Sequence, residues 1–147
     1  MRTIRIFLIT FLASVSVYTA KADNDRPITV SQLPTESQKF IQDFFKGIAV
    51  SYAIVDRDLF EKTYEVRFVN GTKVEFKRNG KWNKVDCQRE AIPIGIIPIQ
   101  IEEYVKNNHP GQSIVKIDKD RRDYEIDLSN GIEIKFNRRF QVIGYDD

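Results

Sequence analysis

The chain has one cysteine, one histidine, one tryptophan and one methionine in 147 residues. A lone cysteine, Cys87, excludes an internal disulfide, so stability has to come from packing. Nothing beside Cys87 would activate a thiolate, and it reads as a small buried hydrophobe at a strand end rather than a reactive thiol or an interchain link. The lone histidine, His109, sits in His109-Pro110-Gly111, a turn. There is no nucleophile elbow, no glycine-rich phosphate loop and no paired metal-ligand motif. Asp118-Lys119-Asp120-Arg121-Arg122-Asp123 has the acid density of a calcium loop. It lacks that loop's glycine and terminal glutamate, and reads as a charged hairpin turn. Catalysis needs a recognisable set of titratable groups. The expectation is a protein that is not an enzyme, with no cofactor and no metal.

Long apolar runs are equally scarce. The one run, Ile6 to Val17, follows Arg2 and Arg5 and precedes Ala20-Lys21-Ala22, a small-x-small cleavage pattern. It is short for a membrane span. Residues 1–22 are therefore expected to be a signal peptide, and the working protein to be periplasmic or secreted, with no stable membrane span after cleavage. The leader holds three basic and no acidic residues, so the rest carries 20 basic against 21 acidic, a net charge of −1. That balance gives no reason to expect nucleic acid as a partner.

What the sequence does have is a stretch written twice. Tyr64-Glu65-Val66-Arg67-Phe68 leads to Asn70-Gly71 and on to Val74-Glu75-Phe76. Tyr124-Glu125-Ile126-Asp127-Leu128 leads to Asn130-Gly131 and on to Ile134-Lys135-Phe136. Each predicts a strand, a two-residue turn with positive φ at both positions, and a returning strand. Asn79-Gly80 predicts a further turn into a strand from Lys81 to Cys87. Ahead of each hairpin lies an amphipathic helix. The first starts at Leu33-Pro34-Thr35, with Thr35 and Gln38 at capping-box spacing and Phe40, Ile41, Phe44, Phe45 and Ile48 on one face. The second starts at Ile97-Pro98, with Ile101, Tyr104 and Val105 inward. Strands are expected over 52–58 and 114–117, and a last one over 140–143. Asp23 to Val30 reads as a loose lead.

The predicted fold is α+β: a tandem duplication of a helix plus a four-stranded antiparallel meander, with the helices on one face of the sheets. The first unit spans 23–88, a linker 89–93, and the second unit 94–147. Pairing Ile54 with Ile114 and Tyr64 with Tyr124 gives an offset of 60, while Pro34 with Pro98 gives 64. This places four extra residues between the first helix and its first strand. Trp82 follows Phe76 by six residues and Phe140 follows Phe136 by four, which places a second length change in the final turn.

These residues carry a family resemblance. The order Leu33-Pro34, helix, Tyr64-Glu65-Val66, Asn70-Gly71, Val74-Glu75-Phe76, Asn79-Gly80-Lys81-Trp82, Val85-Asp86-Cys87, then Ile97-Pro98, His109-Pro110-Gly111, Tyr124-Glu125-Ile126 and Asn130-Gly131 resembles the PepSY-like, beta-lactamase-inhibitor-like family of exported Bacteroides-type bacterial proteins. It covers roughly Ile28 to Tyr145. The chain departs from the pattern at Asn137-Arg138-Arg139, where the family has an Asn-Gly-type turn. The resemblance implies a fold like that of the beta-lactamase inhibitory protein. It supplies no catalytic residue.

A helix-covered antiparallel sheet leaves its other face open. By alternation that face carries Glu65, Arg67, Lys73, Glu75 and Lys77, then Glu125, Asp127, Glu133, Lys135 and Asn137. The functional expectation is an exported non-catalytic binding module, protein-binding or inhibitory, using this face toward another exported protein or envelope component. Trp82, Arg67, Lys77, Lys135, Arg138 and Arg139 are the candidate partner-binding residues. The alternative is a structural or envelope-stress protein with no tight partner, whose open face is simply solvated.

Overall fold

The computed structural model describes residues 24–147; the expected leader lies outside the described residues. Nine strands form one antiparallel sheet in sequence order: β1 (Arg26–Ile28), β2 (Val50–Arg57), β3 (Lys62–Phe68), β4 (Lys73–Lys77), β5 (Trp82–Asp86), β6 (Ile114–Lys119), β7 (Asp123–Leu128), β8 (Glu133–Asn137) and β9 (Val142–Asp146). Helix α1 (Thr35–Phe44) joins β1 to β2, and α2 (Ile99–Asn108) joins β5 to β6.

Two sheets side by side were expected, and the structure has one. The seam is β5 against β6, paired through Lys84↔Asp118, Val85↔Ile117 and Asp86↔Lys116. The segment read as a linker is tied into this seam. Cys87 N–H donates to Val115 O and Ile92 N–H to Ile114 O, both at 2.9 Å, and Ile92, Ile96 and Ile97 are buried. The segment read as a loose lead is also ordered: Arg26–Ile28 pairs with β2 as the edge strand.

Period-2 alternation puts one apolar row across eight strands, Ala53, Val66, Val74, Val85, Ile117, Ile126, Ile134 and Tyr145, each opposite the next. All but Tyr145 are buried. Both helices lie on that face. Ile41 and Phe45 of the first and Ile101 and Val105 of the second are buried, as their spacing predicts. Phe45 stacks against Phe68 at 5.0 Å, and Phe40 and Tyr104 meet Phe76 and Phe136 edge-on at 5.7 and 5.4 Å. One hydrophobic cluster runs through both halves. Each large side chain so buried stabilises the fold by about 1.5–3 kcal/mol.

Three local expectations are corrected. Pro34, not Thr35, caps α1, and Gln38 Nε2 instead donates to Leu33 O and Ser31 O at 2.8 and 3.1 Å. The Asn-Gly turns are three-residue loops in which only the glycine has positive φ, +90° at both Gly71 and Gly131. Asn70 Oδ1 accepts the Thr72 N–H, and Asn130 Oδ1 the Ile132 N–H, so each asparagine side chain closes its own turn. Phe140 is not in the last strand. It occupies the place of Gly80, at φ +61°, in a turn of unchanged length: Phe140 N–H donates to Asn137 O as Gly80 N–H donates to Lys77 O.

The length difference also moves. Val50↔Phe68 with a following bulge corresponds to Ile114↔Leu128 with a following bulge, and positive-φ Gly47 to Gly111. The offset of 64 therefore runs through α1 and β2, and the four extra residues lie in the β2–β3 hairpin. Asp56↔Thr63 and Arg57↔Lys62 are two rungs without counterparts, since β6–β7 ends at Lys119↔Tyr124. Loops and hairpin ends accept such lengthening because no core residue has to move.

Candidate functional site

The open face is built by the side chains that alternate with the apolar row. One ladder reads Tyr52, Arg67, Lys73, Asp86, Lys116, Asp127, Glu133, Asp146, each opposite the next. The adjacent ladder reads Ile54, Glu65, Glu75, Lys84, Asp118, Glu125, Lys135, Gly144. The lysines reach carboxylates along, across and beyond the rows: Lys84 its opposed Asp118 at 3.5 Å and Lys116 its opposed Asp127 at 3.3 Å, Lys73 the adjacent row's Glu75 at 3.2 Å, and Lys135 Asp123 outside both rows at 3.2 Å. Burial works against the charge of Lys73 and Lys116, yet the facing carboxylates outweigh it and hold both above the ordinary lysine range. Tyr52 bridges two charges, donating to Glu65 Oε1 at 3.0 Å and accepting from Arg67 Nε at 3.2 Å.

Pairing is incomplete. Five directly opposed pairs carry like charge: Arg67↔Lys73, Glu65↔Glu75, Asp118↔Glu125, Asp127↔Glu133 and Glu133↔Asp146. Burial first, and then Glu133 and Asp118, push the Glu125 carboxyl up from its ordinary value. Asp127 Oδ1 is buried and accepts no hydrogen bond. Among the described residues, no three His, Cys, Asp or Glu side chains are grouped so as to hold a metal ion.

The structure separates the six candidate residues. Arg67, Lys77 and Lys135 lie on the open face, on β3, β4 and β8. Trp82 does not: its ring is half-buried under α1, 6.2 Å from Phe40, with Lys119 Nζ 4.0 Å above it. Arg138 lies over the Tyr124 ring at 4.7 Å and donates to Asp120 O, and Arg139 is exposed in the last turn. Cys87 is free and buried, and burial pushes its thiol up. In the acid-rich 118–123 segment Asp118 and Lys119 end β6, Asp123 begins β7, and the turn is 120–122: Asp120 Oδ1 accepts the N–H groups of Arg122 and Asp123, which hold its carboxyl below the usual range.

Two features escaped the sequence reading. A cleft of about 470 Å³ lies beside α2, lined by Ile97, Val105, His109 and Ile114 among others. At its rim His109 Nε2 meets Tyr145 Oη at 3.2 Å, and Tyr145 and Tyr104 share a short hydrogen bond. The second feature is a groove of about 640 Å³ at one end of the sheet, between the β2–β3 and β6–β7 tips. Three of its cations, Arg78, Arg121 and Arg122, come from turns, where strand periodicity says nothing, and the other three, Lys62, Lys77 and Lys119, stand at strand ends.

No helix of the described residues is long and apolar enough to cross a membrane. No curated protein matches the chain. Solved structures do. One from Bacteroides vulgatus ATCC 8482, provisionally described as a periplasmic protein of the DUF2874 family, is 44% identical with a TM-score of 0.83, over 86% of this chain and 99% of that one. Another, from Bacteroides thetaiotaomicron and provisionally described as a calcium-regulated periplasmic protein, is 43% identical with a TM-score of 0.82, over 84% and 97%. A third, again from Bacteroides vulgatus and of unknown function, is 32% identical with a TM-score of 0.79, over 84% and 99%. Likeness at this level carries the compartment too, and the protein is periplasmic or secreted. The beta-lactamase-inhibitor-like, PepSY-like family model matches residues 62–144, more than half of the sequence, and the chain belongs to that family.

Proposed function

We propose that the protein is a non-catalytic binding module that engages another exported protein through the open face of its sheet. The observation that carries this is the set of five opposed like-charge pairs on that face. Each such pair destabilises the sheet by a few tenths of a kcal/mol or more. A face serving only solubility has no need of them, whereas a partner of complementary charge relieves them. The test is retention of an envelope partner by the purified protein, compared with charge reversals at Arg67 and Lys135, which lie on the open face alone. Loss of retention by the reversed forms is expected; equal retention sinks the reading.

A second reading has its own observation. Six ion pairs already satisfy four lysines of this face, Lys73, Lys84, Lys116 and Lys135, as suits an envelope protein with no tight partner. Titration with peptidoglycan fragments and outer-membrane lipids separates the two. We also infer that 23–88 and 94–147 descend from one duplicated unit joined through 89–93. The matched bulges and turns support it. Rebuilding Arg139-Phe140 as Asn-Gly (R139N with F140G) is then expected to leave stability within about 1 kcal/mol, the relaxed φ offsetting lost packing; failure to fold would count against common descent.

A further inference from the structure

In a nine-stranded meander, alternate turns lie at opposite ends of the sheet. The turns at 57–62, 77–82, 119–123 and 137–141 share one end, and they carry ten cations against four acids. The turns at 69–72 and 129–132, at the other end, carry no charge. The hairpin turns thus gather their cations at one end of the sheet.

The groove lies at the basic end. Lys62, Lys77, Arg78, Lys119, Arg121 and Arg122 line it. Among the described residues none of these six makes an ion pair, whereas four lysines of the open face make six. Its two acids offer little compensation: Asp120 is turned into its own loop, and Glu61 stands at the β2–β3 tip. Burial against Trp82, then the charges of Arg138, Lys77 and Lys81, hold Lys119 below the usual lysine range. The side-chain carbonyl of Asn83, also lining the groove, is buried with no donor. One wall is the tip raised by the two extra rungs, where Leu59 and Phe60 are 89% and 96% exposed.

We propose that this groove binds an acidic peptide segment of another exported protein. Carboxylates would pair with the arginine forks and lysines, a backbone N–H would meet the Asn83 carbonyl, and an apolar side chain would cover Phe60. Phosphate offers the charge but no apolar side chain to cover Phe60. A flat bilayer reaches the Leu59–Phe60 tip but not cations lining a concavity. The groove meets the open face at Lys77, which belongs to both, and does not rest on the reading of that face.

Trp82, the only tryptophan, lies beneath Lys119 and reports on the groove. The test titrates the protein with a synthetic peptide containing Glu-Asp-Glu-Leu-Glu, followed by calorimetry and by Trp82 fluorescence. Parallel titrations use its Gln/Asn counterpart, inorganic phosphate, and phosphatidylglycerol vesicles. Saturable binding of the acidic peptide is expected, weakening as salt rises. Reversal of Arg121 and Arg122 together (R121E with R122E) should weaken it about tenfold with unchanged thermal stability, since both are exposed. F60A should weaken it less, and reversal of Arg67 and Lys135 on the open face should leave it unchanged. Absence of binding, equal binding of the uncharged peptide, indifference to the Arg121/Arg122 reversal, or tighter binding of phosphate or vesicles each overturns the proposal.

Discussion

At the scale of single residues, the turns discriminate between substitutions that look alike. Gly80 has φ +84°, and a Cβ there would stand 2.7 Å from Pro34 Cβ and 3.2 Å from Ser37 Oγ. The Ser37 hydroxyl is buried and donates to Gly80 O at 2.9 Å, fastening α1 to the turn. Gly131 has φ +90° with nothing within 4 Å of its Cβ position. Gly131→Ala should therefore cost only the backbone term, about 1 kcal/mol, and Gly80→Ala about 2–4 kcal/mol. Urea unfolding of the two variants checks the difference. Tyr145 gives a prediction in pH. Burial first, then the hydrogen bond and proximity of Tyr104, push its phenol up to about 12. The unfolded chain releases that proton near pH 10 and the folded one later, so stability falls as pH rises through the interval between them. Chemical denaturation across that range should show the decline in the natural protein and a shallower one in Tyr145→Phe. Neither result was legible in the sequence. Gly80 read as an ordinary turn glycine, and Tyr145 lies beyond the strand expected over 140–143, where no period assigns its side of the sheet.

At the scale of elements, strands and helices were read well because burial imposes a period. Tyr64, Val66, Phe68, Val74 and Phe76 are all buried, and Glu65, Arg67, Lys73, Glu75 and Lys77 all lie opposite them. Connections were read poorly because nothing buried constrains their length. Matching Ile54 to Ile114 by residue type put the extra residues before β2. The bulge after Val50 and the glycine at 47 put them after it. The same blindness hid the groove, since the interest of Arg121 and Arg122 lies in where the neighbouring turns fall. Removing Asp56, Arg57, Lys62 and Thr63 deletes the two extra rungs and leaves a four-residue tip like 120–123. These residues are exposed or half-exposed, so the shortened protein should fold with stability changed by about 1 kcal/mol or less. Removing 46–49 instead takes out Ile48, which packs on the core, and should be far more damaging. Thermal unfolding of both deletions decides which of the two segments the fold can spare.

At the scale of the molecule, the two halves share one sheet and one core. Val85 and Ile117 face each other across the seam with no exposure, and the buried cluster continues through both. Unfolding should accordingly be a single transition. Trp82 fluorescence, which senses the first half, and far-ultraviolet circular dichroism, which averages over all strands, should give coincident denaturation curves. Separate midpoints would show halves that melt independently. The sheet's running order has a mechanical consequence. The chain enters at the β1 edge and leaves at the β9 edge, with every intervening strand in sequence between them. Tension between the two ends pulls across the strands, so hydrogen bonds open one after another instead of sharing the load. Stretched in an optical trap, the protein should peel from its rims at low force. A molecule laid out in this way can cover, read or occupy a surface, and is poorly suited to act as a tether.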